Sequence, residues 1–441
     1  MKRLIKTPIV KLKNQIKKYP KIKNKIIYVL NYFPNLKIRL RGVTSQNVIY
    51  ENWNSTRLNN EFLIDVSHLY KEDLKTGIQR VVRSVLNYLE KDKNIELDIQ
   101  PIYLTDEDGY WCYKYVKELG KIVVPKKGDV FLGLDLNGAI YAPDEMGLFK
   151  DWKNREVKMH FVVYDILPIQ FPHFWTPDAS IAHELWLETT IKYSSKLICI
   201  SKAVADDVKK YIEQNKNKFE NSPKVEWFHL GADIESSQPS NGLPVEADKF
   251  LEKLQNSKSF LMVSTVEPRK GHKQTLKAFE QLWNSGEDVL LVVVGKIGWM
   301  MDDFAFKARN HPQKNKKLFW LEGISDEYLN KIYESSTCLI ASSQGEGFGL
   351  PLIEAAQKKK PIIARDIPVF REVAGKFSYY FNNENNPEVL VEAIAEWLKL
   401  YEEDNHIKSD KMPWLTWDES SRLLINKITK KENSGNAKND D

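Results

Sequence analysis

The stretch Gln344–Ala356, Gln-Gly-Glu-Gly-Phe-Gly-Leu-Pro-Leu-Ile-Glu-Ala-Ala, constrains the fold more than any other part of the chain. It follows Cys338–Ala341, a short apolar run that reads as a buried strand. Gly345, Gly347 and Gly349 permit tight turning and close backbone approach to a ligand. Pro351 suits the opening turn of a helix, where its missing N–H costs nothing. Strand, glycine loop and helix N-terminus in that order make an anion site from free amides and the positive end of the helix dipole. Glu346 in the loop and Glu354 about one turn into the helix flank that site, and each can accept from the hydroxyl pairs of a ribose or a hexose. The plainer alternatives are a solvated loop carboxylate and a helix carboxylate that complements the dipole.

Short apolar runs followed by loop or helix patterns recur along the chain. In the first part they are Phe62–Val66, Val130–Leu134, Phe161–Tyr164 and Lys196–Ile200. In the second they are Phe260–Ser264, Val289–Val294, Leu318–Leu321 and Pro361–Ala364. This alternation is the mark of β/α units with parallel sheets, in which ligands collect beyond the carboxyl ends of the strands. The polar stretch 235–246, with Pro239, Gly242 and Pro244, reads as a linker between the two parts.

A chain of 441 residues has room for two domains with proper cores. No apolar run approaches the ~18 residues needed to span a bilayer. No signal-peptide pattern follows the basic start. Cys112, Cys199 and Cys338 are odd in number and widely spaced, which fits a reducing cytoplasm and neither a disulfide framework nor a metal site. The net charge of +5 conceals an asymmetry, because Met1–Tyr50 is rich in Lys and Arg and contains no acid. Interleaved with Ile26, Tyr28, Tyr32 and Phe33, this leader (residues 1–55) is suited to an anionic membrane surface, or else is a solvated, partly disordered segment. Nucleic acid is a poorer partner, since nothing downstream resembles a nucleic-acid module. The last dozen residues read as disordered.

A second motif, Thr265-Val266-Glu267-Pro268-Arg269-Lys270-Gly271, follows the first strand of the second part and opens a helix with Leu276 and Phe279 on its apolar face. Adjacent Arg269 and Lys270 there would meet a diphosphate, one by a planar fork and the other as a point charge. In the first part, Gly77 precedes an amphipathic helix with Val81, Val82, Val85 and Leu86 at helical spacing, again offering backbone amides to a phosphate. Gly323 and Ile324 form a strand-end turn with Ser325 as a helix cap, and Asp165 stands at another strand end.

Gln344–Ala356 resembles the E-x7-E element of retaining GT-B glycosyltransferases of family 4, also called glycosyl transferases group 1. The Glu-Pro-Arg-Lys-Gly run and Thr76-Gly77-Ile78-Gln79-Arg80 resemble variants in bacterial enzymes of that family that build surface polysaccharides. The resemblance covers roughly residues 61–430. It implies an α/β, GT-B fold: Rossmann-like domains at 61–250 and 251–410 facing each other across a cleft, and a final helix at 411–430 crossing back onto the first. The implied donor is a nucleoside diphosphate sugar, with GDP or UDP as carrier and mannose the first sugar to test. No metal is required, and anomeric configuration is retained. The acceptor is a glycan or lipid-linked glycan in lipopolysaccharide, capsule or exopolysaccharide assembly. Arg269, Lys270, Glu346 and Asp165 take the catalytic positions. Gly77, Gly323, Ile324, Phe348, Gly349, Leu350 and Glu354 take the donor-binding ones. One departure stands out: Tyr164-Asp165 occupies the place where many relatives carry His-Asp, which leaves the sugar open. His160, His173 and His183 are out of register and read as surface or core histidines. Two other readings compete, a metal-dependent GT-A-type transferase using Asp106-Glu107-Asp108 and a non-catalytic GT-B subunit of a synthase complex.

Overall fold

The computed structural model describes residues 55–429 apart from residue 56 and the stretches 74–75, 93–94, 108–109, 119, 221 and 234–238. The basic stretch Met1–Tyr50, the first part of the expected linker and the tail at 431–441 lie outside the described residues.

Two sheets organise the chain. The first has seven strands: β1 (Glu61–Asp65), β2 (Asp98–Glu107), β3 (Tyr110–Tyr115), β4 (Val130–Gly133), β5 (Lys158–Val163), β6 (Lys196–Cys199) and β7 (Lys224–Trp227), in the order β3-β2-β1-β4-β5-β6-β7. The second has six: β8 (Lys258–Val263), β9 (Val289–Val294), β10 (Leu318–Leu321), β11 (Cys338–Ala341), β12 (Ile362–Arg365) and β13 (Tyr379–Phe381), in the order β10-β9-β8-β11-β12-β13. Every pairing in the second sheet is parallel. Helices cover both faces of such sheets, so central strands become continuous apolar runs. β9, Val-Leu-Leu-Val-Val-Val, is buried at every position.

The helices used below are α1 (Gly77–Lys91), α2 (Lys202–Gln214), α3 (His272–Asn284), α4 (Asp326–Ser335), α5 (Leu350–Gln357), α6 (Pro368–Ala374) and α7 (Trp417–Thr429). α1 opens on a capping box, in which the Thr76 side chain accepts from the Gln79 amide while the Gln79 side chain accepts from the Thr76 amide. Its buried face is Val81, Val82, Val85 and Leu89, one helical step away from the expected Leu86, which is only half-buried. α7 returns to the first sheet's side and packs on α1. Its entry is held by the Ala232 N–H donating to the Leu415 carbonyl at 3.1 Å and by Ser420 Oγ donating to the His229 carbonyl at 2.7 Å.

Strands β2, β3, β7 and β13 are absent from the expectation. β3 runs antiparallel to β2 at the sheet edge, so the first sheet is mixed rather than wholly parallel. Its sequence, Tyr-Trp-Cys-Tyr-Lys-Tyr, is mostly aromatic and carries little polar alternation to read. Asp106 and Glu107 of the acidic triplet belong to this hairpin, paired in register with Trp111 and Tyr110, while Asp108 lies outside the described residues. Among the described residues no group of three or more His, Cys, Asp or Glu side chains is placed to share a metal ion. No described helix is long and apolar enough to cross a membrane.

Candidate active site between the two halves

In the second sheet β8 lies between β9 and β11, so connections leave it in opposite directions. Such a switch point opens a crevice beyond the carboxyl ends of the strands. The loops after β8 and β11 carry the two principal motifs, and they meet there. Gly271, with φ of +78°, lets the first loop turn into α3; a Cβ on it would stand 2.4 Å from the Ser342 carbonyl oxygen. The Gln344 amide donates to the Arg269 carbonyl at 2.8 Å, and Ser342 Oγ donates to the Lys270 carbonyl at 3.2 Å.

This pairing converges three predicted side chains. Lys270 Nζ reaches Glu346 Oε1 at 2.6 Å, and Arg269 Nη1 reaches Glu346 Oε2 at 3.0 Å and the Gly345 carbonyl at 2.8 Å. Ser343 Oγ adds a 2.7 Å bond to Glu346 Oε1. Burial pushes the Glu346 carboxyl up, but the charge of Lys270, then of Arg269, outweighs it and holds the group down at about 2. Arg269 is driven the other way: burial disfavours its charge, while Glu346, Glu267 and Asp165 together raise it above its ordinary value. Glu267 Oε2 stands 3.2 Å from Arg269 Nε, yet the N–H is not aimed at it, and both buried atoms lack a hydrogen-bond partner. Burial raises the Glu267 carboxyl above its usual range despite both cations. Below lies His272, buried, with its ring pushed down to about 3 by burial and Lys270.

The first half supplies the facing wall. A Cβ on Gly347 would fall 2.1 Å from the Tyr164 carbonyl oxygen, and one on Gly345 would fall 2.8 Å from Leu167 Cδ2. Ser201 caps α2, accepting from the Val204 amide at 3.2 Å, and donates across the boundary to the Gly347 carbonyl at 2.7 Å. Glu372 of α6 caps the same helix from the other half, accepting from the amides of Lys202 and Ala203 and from His229, each at 2.7 Å. Asp165 accepts from the Leu167 amide at 3.1 Å and acts on Arg269 through its charge. The Tyr164 side chain turns away: it is buried and donates to the Leu134 carbonyl at 2.8 Å, so this position contributes its backbone to the wall. His183 reaches the Asp165 carbonyl at 3.0 Å, His160 is buried, and His173 is exposed.

Glu354 stands in a second network. Arg80 Nη1 meets its Oε1 at 2.7 Å and the Tyr333 hydroxyl donates to its Oε2 at 2.8 Å. Arg80 Nη2 also meets Asp326 at 3.1 Å, and Asp326 accepts from the Ser240 amide and hydroxyl at 2.8 Å. Gly349, with φ of +98°, opens α5, with Pro351 in the first turn as expected and Phe348 buried 5.4 Å from the His229 ring. Gly77 comes within 4.0 Å of Leu350 Cδ1 for an added Cβ. Gly323, with φ of +67°, turns the chain from β10 into α4, where Ser325 caps by accepting from the Tyr328 amide at 3.0 Å and donates to the Gly242 carbonyl. Ile324 packs against the core shared with Phe348 and Tyr333. Arg269, Lys270 and Glu346 are thus in direct contact, Asp165 acts across the boundary, and Glu354 is joined to the first half through Arg80. Ser343, Tyr333, Asp326 and Glu372 were missed. Ser343 and Glu267 adjoin the motifs, and that adjacency is the signal that could have found them, whereas Tyr333 and Glu372 carry no local signal.

Residues 246–411 match the family described as glycosyl transferases group 1. That match lies within the second half of the chain, on the segment that carries both principal motifs. The chain is 42% identical over 381 residues to the serotype-specific mannosyltransferase WbdA of Escherichia coli, a match covering 83% of this chain and 46% of that protein. It is 24% identical over 258 residues to the O-antigen chain mannosyltransferase RfbU of Salmonella typhimurium, covering 55% and 65% respectively. The chain therefore spans a little under half the length of the WbdA relatives it matches. Among solved structures, Anabaena Alr3699/HepE in complex with UDP-glucose aligns with a TM-score of 0.54 at 12% identity over 83% of this chain and 95% of that one. Sucrose-phosphate synthase from Thermosynechococcus elongatus aligns with a TM-score of 0.54 at 14% identity over 84% and 94%. The fold is GT-B, two Rossmann-like halves with the candidate site between them.

Proposed function

We propose that this chain is a retaining glycosyltransferase of family 4 that transfers a sugar, mannose first among the candidates, from a nucleoside diphosphate sugar to a glycan or lipid-linked glycan. The setting is O-antigen or related surface-polysaccharide assembly at the cytoplasmic face of the membrane, with the basic leader as a membrane-surface segment. The single observation that carries the reading is the convergence of Lys270 and Arg269 on Glu346 at the switch point of the second sheet. The names of the mannosyltransferase relatives support the choice of sugar.

Breaking the anomeric C–O bond leaves a diphosphate anion beside an oxocarbenium-like carbon. Lys270 keeps donors beyond its one bond to Glu346, and with Arg269 it neutralises the leaving oxygens. The amides of Phe348, Gly349 and Leu350 at the start of α5 add the dipole's positive end. Such preorganised donors are worth roughly 3–4 kcal/mol each in the transition state. Glu346 orients both cations and accepts from the donor sugar's hydroxyls. Gly323 and Ile324 receive the base, Gly77 faces the phosphates, and Glu354 holds the ribose in exchange for Arg80. Asp165 contacts the sugar or the acceptor hydroxyl. No step requires a metal; the leaving phosphate takes the acceptor's proton.

Hydrolysis of GDP-mannose and UDP-glucose by purified chain tests this. Lys270→Ala is expected to lower kcat by about a hundredfold or more, the cost of one lost donor to developing charge. Turnover at the unmutated level in Lys270→Ala would reject the assignment.

A further inference from the structure

Two tryptophans from opposite halves meet beside Arg269, and none of the roles above uses them. Trp175 ends the segment that begins at Asp165 and passes through the turns Leu167–Gln170 and Pro172–Phe174. Trp299 lies in the loop after β9. That loop is tied to the Arg269 loop, the Gly298 amide donating to the Val266 carbonyl at 2.9 Å, and a Cβ on Gly298 would stand 2.9 Å from Glu267 Cγ. The two indole rings lie 6.1 Å apart, inclined at 32°. Trp299 Nε1 donates to the Phe174 carbonyl at 2.7 Å, which satisfies its one polar group and fixes the ring without using its face. The Arg269 guanidinium sits 5.9 Å from the Trp175 ring centre. Trp299 keeps 37% of its surface exposed and Trp175 is half-buried.

We infer that Trp175 and Trp299 form the subsite for a neutral sugar ring of the glycan acceptor, an inference that rests on the glycosyltransferase reading. A pyranose has a face of C–H groups and a rim of hydroxyls, so it stacks on an indole face and hydrogen-bonds at its edges. Asp165 begins the Trp175 segment and the exposed His173 lies in its last turn, two residues before the indole, so either is near enough in the chain to supply such an edge. The cations beside the indoles, Arg269 and Lys270, are already engaged by Glu346, and Trp175 and Trp299 carry no charge of their own to recruit an anionic acceptor. Position agrees as well. Arg269 belongs to the Glu346 cluster and also touches the Trp175 ring, so a sugar stacked on the indoles lies next to the donor's reacting end. Because each half contributes one ring, the subsite exists only when the halves are together.

Steady-state kinetics with GDP-mannose as donor and α-linked mannotriose as acceptor test the inference, together with tryptophan fluorescence of the full chain titrated with mannotriose alone. Trp175→Leu and Trp299→Leu are each expected to raise the acceptor KM about tenfold or more while moving the donor KM less than twofold, the pattern of lost acceptor binding. Trp299→Phe, which keeps a stacking face, should stay within about threefold of the unmutated acceptor KM. Mannotriose should shift the fluorescence of the unmutated chain, and that shift should be largely lost in Trp299→Leu. Leucine variants that melt like the unmutated chain and keep its acceptor KM would overturn the inference, as would a flat titration of the unmutated chain. Donor hydrolysis without these acceptor effects would reject the tryptophan subsite alone, whereas absence of donor turnover would reject the glycosyltransferase reading and the subsite together.

Discussion

At Gly347 two halves of the molecule touch through one missing methyl group. An added Cβ would lie 2.1 Å from the Tyr164 carbonyl oxygen and 3.2 Å from Ile200 Cδ1, and the first of these is backbone that cannot rotate away. Gly347→Ala is therefore expected to cost about 1–3 kcal/mol of stability, the usual range for overpacking, and to lower kcat/KM by displacing Glu346 and Phe348 on either side. Chemical denaturation alongside donor turnover checks it; an alanine variant with unchanged stability and turnover would show that the wall moves freely. The same residue illustrates how the motif was legible and its reason was not. The glycines stood out as permission for close approach, but the approaching group, a carbonyl some 180 positions earlier in the chain, could not be read from spacing. Glu354 makes a similar point. Its place on α5 was foreseeable, while its partners Arg80 and Tyr333 come from two other helices.

Among the helices, α7 decides whether the C-terminal segment belongs to the first half. Trp417, Leu424 and Ile428 are buried, whereas the neighbouring Leu423 is 39% exposed. Leu424→Ala should destabilise the chain by about 2–5 kcal/mol, the range for a fully buried leucine. Leu423→Ala should change stability by no more than about 0.5 kcal/mol, because it points outward. Paired urea titrations distinguish the two, and equal effects would mean that α7 is not seated on α1. Helical spacing of apolar residues made α1 legible in advance, whereas α7 was expected only from the family resemblance. The edge strand β3 was not legible, since a mostly aromatic run lacks clear alternation, and its partner β2 supplies the direction.

Across the entire fold, buried titratable groups make stability depend on pH with opposing signs. Burial holds the His160 ring down to about 4, with Lys196 and Lys158 assisting. The unfolded chain therefore takes up a proton near the ordinary imidazole value while the folded chain does not, and stability is lost as pH falls from about 6.5 towards 4. Asp65 behaves oppositely. Burial raises its carboxyl to about 6 despite bonds from Ser67 and Tyr113, so the folded chain keeps a proton that the unfolded chain releases near 4. Its contribution is present below about 4 and lost as pH rises through 6. Relative to Asp65→Asn, the unmutated chain should gain stability as pH falls from 6 to 4. Relative to His160→Gln, it should lose stability from 6.5 to 4. Each difference should change by about 1.4 kcal/mol per pH unit at its steepest. Urea titrations across that interval check both, and slopes of the same sign would refute the assignment.

Local physics in the sequence determined the repeating β/α units, the glycine-rich turns, the helix cap at Ser325, and the candidacy of Arg269, Lys270, Glu346 and Glu354. Each of those depends on residues within a few positions of one another, through backbone freedom, hydrophobic period or charge at a helix end. Only the tertiary structure decided that Glu346 gathers both cations, that Arg80 occupies Glu354, that Tyr164 turns its hydroxyl into the core and that Trp175 meets Trp299. Those pairings join residues brought together when two sheets and their returning helix pack, and a linear pattern carries no record of which distant surfaces will meet.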